Sequence, residues 1–160
     1  MRYDKSEVRN RSPLVEKGGR TQLEKLLGGV TLDTDVMDFL TIAGLDYAEG
    51  PLWDGADRQL RETLYENYKM RKAKLSLSVK MREGRFRRRL WRAYSERRVK
   101  TLRDLKETIE QKGLFVGMGY LGLSEFNKTL AQYGIEPYKV GGKYESARVL
   151  RKYGLEPSGR

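Results

Sequence analysis

LSLSVKMREGRFRRRLWRAYSERRVK, residues 75–100, admits two local readings that lead to different folds. Leu75, Leu77, Val79 and Met81 alternate with Ser76, Ser78, Lys80 and Arg82, the period of a half-buried strand, and Glu83-Gly84 would turn that strand into a hairpin. The same residues also extend a helical pattern beginning near Ala56. Leu60, Leu64, Tyr68, Leu75 and Val79 fall within about 100° of arc at helical spacing. Lys, Arg, Met and Leu are helix formers, so the helix is favoured and the strand is its rival.

Beyond Gly84, a helix from Arg85 to about Lys100 places Arg85, Arg88, Arg89 and Arg92 on one face, at i, i+3, i+4 and i+7. Phe86, Leu90, Ala93 and Tyr94 fall on the other, so the apolar face packs while four guanidinium groups project together. The planar guanidinium fork matches two oxygens of a phosphate. Trp91 lies near the border of the apolar arc and is read as an anchor at the core edge, with base stacking as the alternative.

Charge concentrates around this stretch. Lys69 to Arg103 holds fifteen basic and two acidic residues, a net +13, whereas the whole chain carries +11. The remaining 125 residues therefore sum to −2. Leu32 to Asp57, in contrast, contains seven acidic residues and no Lys or Arg. A local positive surface of this density most often meets phosphate, because each neutralised phosphate releases condensed counterions.

The rest of the composition removes classes of chemistry. The 160 residues include no Cys and no His, which excludes disulfides, thiolate metal sites and His-dependent triads. Asp33, Asp35, Asp38, Asp54 and Asp57 are the acids that would hold Mg²⁺ in a small nuclease, but several stand where helix caps belong. The ten Tyr include no obvious nucleophile beside a base. No metal, cofactor or catalytic residue is therefore predicted, and the protein is expected to be non-enzymatic. Mean hydropathy is −0.73 and no apolar run nears the roughly 20 residues of a bilayer span. No membrane partner and no secretory leader are expected, and the location is expected to be cytoplasmic or nucleoprotein-associated.

Four regions follow: a flexible basic arm over 1–20, an acidic helical lobe over 21–55, a long basic helical segment over 56–100, and a C-terminal unit over 101–160. In the lobe, Thr21 starts a short helix ended by Gly28-Gly29, and Asp33 or Thr34 caps a helix closed near Gly44. In the C-terminal unit, Thr101-Leu102-Arg103-Asp104 forms a capping box opening a helix that Gly113 ends. The glycine-containing stretch Leu114 to Gly122 connects it to a second helix, capped by Ser124 and stopped at Gly134. Tyr138 to Tyr144 reads as two short strands around Gly141-Gly142, and Ser146 to Tyr153 as a last short helix. Tyr133-Gly134-Ile135-Glu136-Pro137 recurs as Tyr153-Gly154-Leu155-Glu156-Pro157, read as one helix stop used twice.

That order, over Thr101 to Tyr153, resembles the small winged helix-turn-helix of excisionases and MerR-type regulators. In that family one helix docks in the major groove and a β-ribbon wing touches the backbone. The resemblance implies that Asn127, Lys128 and Gln132 read base edges or backbone, with Lys139 and Lys143 on the wing reaching phosphates. The inter-helix turn is longer than in the family, and Glu125 would stand near phosphates at the helix start.

The expected fold is mainly α: a helical bundle with a long basic central helix and a small C-terminal winged helix-turn-helix-like unit bearing a short β-hairpin. The expected partner is nucleic acid, DNA or RNA, anchored by Arg85, Arg88, Arg89, Arg92, Lys72, Lys74, Arg97 and Arg98. A DNA-binding regulator is the favoured role, with a homodimer or a protein partner as a further expectation. The alternatives are a structural subunit of a nucleoprotein assembly, such as a ribosome-like particle or virion, and a protein-binding adaptor.

Overall fold

A computed structural model of the chain describes residues 29–115, 118–142 and 146–159. The sequence-predicted arm, the Thr21 helix and Lys143 lie outside the described residues. The protein is mainly helical, with seven helices among the described residues: α1 (Val36–Ile42), α2 (Pro51–Gly55), α3 (Arg58–Ala73), α4 (Leu77–Ser95), α5 (Leu102–Lys112), α6 (Tyr120–Gln132) and α7 (Ala147–Lys152). None is long and apolar enough to cross a membrane. The chain divides into two compact units, residues 37–76 with Val30 in the first, residues 31–36 and 77–159 in the second.

In the first unit, Asp57 opens α3 by accepting the Leu60 N–H on its carboxylate at 2.8 Å. The acidic stretch before it is held by its own polar side chains. Thr41 donates to the Glu49 carbonyl at 2.8 Å, and Asp38 accepts the Leu52 N–H at 2.8 Å. Gly50 lies so close to Asp38 that a side chain there would strike its carboxylate, and its φ of 95° also favours glycine.

The long helix expected from Ala56 is two helices, because α3 ends at Ala73 and α4 begins at Leu77. Ser76, a residue type favoured immediately ahead of a helix, precedes α4. Residues 77–82 are helix, so the strand reading of this stretch falls. Gly84 neither turns nor ends the chain but lies inside α4.

In the second unit, α4 buries Phe86, Leu90 and Ala93, and α5 buries Leu102, Leu105 and Ile109. The Thr101–Asp104 capping box forms as the sequence predicts, with both reciprocal bonds present. Residues 32–36 run beside the start of α5: Val36 N–H donates to the Lys100 carbonyl, Leu102 N–H to Thr34 and Arg103 N–H to Leu32. The α6 helix starts at Tyr120, a turn before the expected cap Ser124, with Gly119 at its N-cap. Phe126 on α6 packs against Phe86 on α4, ring centroids 4.9 Å apart.

The Tyr133–Pro137 and Tyr153–Pro157 repeats are the same helix stop. Gly134 and Gly154 both take positive φ, and the N–H groups of Ile135 and Leu155 return to the carbonyls of Leu130 and Leu150.

The β-hairpin wing is not supported. Among the described residues of the expected ribbon, the backbone bonds go elsewhere. Tyr138 is held by the Asn127 side chain, Gly141 N–H donates to the Ile109 carbonyl, and Val140 makes an isolated parallel bridge with Pro157. Gly141 is required for approach rather than for a turn, since a Cβ there would overlap the Glu110 carbonyl at the end of α5.

Candidate nucleic-acid interface

The face of α4 opposite Phe86, Leu90 and Ala93 carries the arginines. Arg85, Arg88 and Arg92 are exposed and Arg89 is half-buried. Arg92 pairs with Glu96 at 3.3 Å, whereas Arg85, Arg88 and Arg89 have no ion-pair partner among the described residues. Residues three and four apart on a helix have Cβ atoms about 5–6 Å apart, so these groups form one continuous cationic stripe.

Trp91 is not an anchor at the core edge. It is 47% exposed, beside the arginines, and Leu77 (72%) and Met81 (58%) are also exposed on the same helix. Its place on the helical wheel, about 60° from Arg88 at 100° per residue, puts it outside the buried arc.

Beyond α4 the cations are individually fixed. Arg98 pairs with Glu96 at 3.0 Å and lies over the Phe115 ring at 5.5 Å, and Lys100 sits 4.1 Å from the Tyr94 ring centroid. The Tyr94 hydroxyl donates to Asp35 at 2.7 Å. Arg97 is exposed at a φ of 62°, the left-handed position that closes the end of α4. Lys72 and Lys74 belong to the first unit, where Lys72 lies over Tyr68 at 5.5 Å and Lys74 is exposed.

The C-terminal candidates separate into two groups. Lys128, Gln132 and Lys139 are exposed. Asn127 is 6% exposed and spends its amide on Tyr138, so it is not available to read a base. Glu125, expected at a helix start near phosphates, lies in the second turn of α6. It takes both Arg82 Nε (3.1 Å) and Nη2 (2.7 Å) on one oxygen, while its Oε2 is buried without a donor among the described residues.

The acids considered for Mg²⁺ are structurally occupied. Asp33 pairs with Arg103, Asp35 accepts from Tyr94, Asp38 holds α2 and Asp57 caps α3. No group of three or more metal-ligating acids occurs among the described residues.

Two features are not visible in the linear pattern of basic residues. In the first unit, Tyr47 sits among Trp53, Tyr65 and Tyr68 at 6.2, 5.0 and 4.9 Å, with Arg61 over Trp53 and Lys69 over Tyr65. The i, i+4 pairs Tyr65–Lys69 and Tyr68–Lys72 were the readable signal for it. In the second unit, Arg82, Arg85 and Phe86 of α4, Met118 to Gly122 and Tyr153 enclose a cavity of about 400 Å³. Tyr120 and Tyr153 stack across its edge, centroids 5.3 Å apart and planes 26° apart. The chain matches no protein-family model, no curated protein and no solved structure.

Proposed function

We propose that the protein is a non-enzymatic nucleic-acid-binding protein that anchors phosphates through the exposed face of α4. The observation that carries this reading is the stripe Arg85, Arg88 and Arg89, three guanidinium groups one turn apart with no carboxylate to neutralise them among the described residues. A cationic face left uncompensated while Glu96 and Glu125 compensate neighbouring arginines is suited to an anionic polymer, which supplies several phosphates at once. Exposed Trp91 adds a ring on which a base stacks. Lys128, Gln132 and Lys139 supply further polar contacts in the same unit, and a role as DNA-binding regulator rests on them alone once Asn127 and the wing are removed from the reading surface.

The test is binding of labelled duplex DNA, single-stranded DNA and structured RNA across a salt series, for the full chain and for a variant with Arg85, Arg88, Arg89 and Arg92 changed to Ala. The expected result is a steep salt slope that falls by about 3 in the variant, roughly 0.9 per lost phosphate contact on duplex. Equal slopes, or no binding at moderate salt, overturn the reading.

A second reading, a protein-binding adaptor or assembly subunit, is favoured by the cluster of Tyr47, Trp53, Tyr65 and Tyr68 with Arg61, residue types that dominate protein interfaces. It predicts that Tyr65→Ala leaves nucleic-acid affinity unchanged while abolishing capture of a protein partner.

A further inference from the structure

We infer that the cavity between α4, the start of α6 and Tyr153 receives one nucleotide unit of a single strand, with Arg85 on its phosphate and the Tyr120–Tyr153 pair against its base. The assignment rests on the nucleic-acid reading above and names a second, distinct contact within it.

Size comes first. A cavity of about 400 Å³ lies in the range of small-ligand sites, about 300–1,000 Å³, and admits one nucleotide but not a duplex. Lining chemistry comes second. Phe86, Met118 and Leu121 give an apolar wall, and two near-parallel tyrosine rings give a flat edge, the arrangement on which bases stack without sequence preference.

Charge selects the form of the ligand. Two guanidinium groups line the cavity, but Arg82 is neutralised by Glu125 at 2.7 Å, leaving Arg85 as the uncompensated cation. One positive charge matches a phosphodiester within a strand, which carries one negative charge. A free terminal phosphate carries about 1.5 to 2 at neutral pH and would be undercompensated. The first turn of α6 adds potential of the same sign but does not carry the assignment.

The experiment measures anisotropy of labelled (dT)8 and of a duplex against the full chain, with dTMP as competitor. It compares wild type with Arg85→Ala, Tyr153→Phe and Tyr153→Leu. Tyr153→Phe keeps the ring and Tyr153→Leu keeps apolar bulk without it, so the two separate stacking from folding. The expected result is that Tyr153→Leu weakens (dT)8 roughly tenfold or more while Tyr153→Phe does not, and that neither changes duplex affinity. Arg85→Ala is expected to lower the (dT)8 salt slope by about 0.7, and Tyr153→Leu to leave it unchanged.

If Tyr153→Leu and Tyr153→Phe bind (dT)8 equally, the cavity assignment is overturned while α4 binding stands. If dTMP competes at the same concentration as (dT)8, the in-strand assignment is overturned in favour of a free nucleotide. If wild type binds no nucleic acid, this assignment falls together with the reading it rests on.

Discussion

The carboxamide of Asn127 holds the backbone of Tyr138 at both ends: its Oδ1 accepts the Tyr138 N–H at 2.9 Å and its Nδ2 donates to the Tyr138 carbonyl at 3.2 Å. A side chain thus does what a neighbouring strand does for a β-residue, inside a buried environment. Asn127→Ala leaves a buried N–H and a buried carbonyl unpaired, and a loss of about 2–4 kcal/mol is expected at about 1–2 kcal/mol per group. Urea unfolding checks the stability, and nucleic-acid affinity of the folded variant is expected to stay at the wild-type value. A tenfold loss of affinity with unchanged stability would return Asn127 to the binding surface.

That pair also explains why the C-terminal unit was misread. Asn on a helix followed by an alternating segment with Gly-Gly looks the same in sequence whether the Asn faces a base or a backbone. The difference is set by Gly141, whose missing side chain lets the chain lie on the end of α5 and turns residues 138–141 away from a hairpin. Features with local physics were legible: the Thr101–Asp104 box, the Gly134 and Gly154 stops, and the burial of Phe86, Leu90 and Ala93 opposite the arginines. The Tyr120–Tyr153 stack and the Arg82–Glu125 pair join residues far apart in the chain, and no spacing rule announces them.

The same segment sets the alkaline limit. The Tyr138 hydroxyl donates to the Leu102 carbonyl at 2.7 Å, and burial, with the Glu110 charge second, raises its pKa well above the ordinary 10.0. The folded protein therefore keeps a proton that the unfolded chain releases above about pH 10, so stability is full below that pH and falls as pH rises further. Denaturation midpoints between pH 9 and 11 check this. Tyr138→Phe is expected to cost about 1 kcal/mol at neutral pH and to flatten the alkaline decline.

The acid limb carries the opposite sign. Asp104 accepts the N–H groups of Thr101 and Lys100, and the Thr101 bond is the main cause that holds its carboxyl below the ordinary 3.8. The cap contributes its full stability above that value and loses it as pH falls through the lowered pKa. Asp104→Ala is expected to cost about 1 kcal/mol at pH 7 and nothing additional at pH 2. A constant penalty across that range would show that the carboxylate is not what holds the helix start.

Gly84 tests the interior of α4. A Cβ there would meet only Arg88 Nη1, at 3.8 Å, so alanine fits without displacement. Gly84→Ala is expected to raise stability by about 0.5–1 kcal/mol, the propensity difference in a helix interior. Destabilisation instead would mean that residue 84 does need a bend.

Arg97 places stability and binding in opposition. Its N–H bonds the Tyr94 carbonyl and the following Arg98 N–H bonds that of Ala93, the closure that glycine usually provides at a helix end. With φ at 62°, an L side chain costs about 1–2 kcal/mol relative to glycine. Arg97→Gly is therefore expected to raise the unfolding midpoint by about 1 kcal/mol of stability. Arg97 is also exposed and has no carboxylate partner among the described residues, so its guanidinium is free to meet a phosphate. The same substitution is then expected to lower nucleic-acid affinity and to reduce the duplex salt slope by about 0.9. Arg97→Asn separates the two effects, because asparagine tolerates the left-handed position and lacks the charge. It should share the affinity loss with only part of the stability gain. A more stable Arg97→Gly protein with undiminished affinity would remove Arg97 from the interface and leave its backbone strain unexplained.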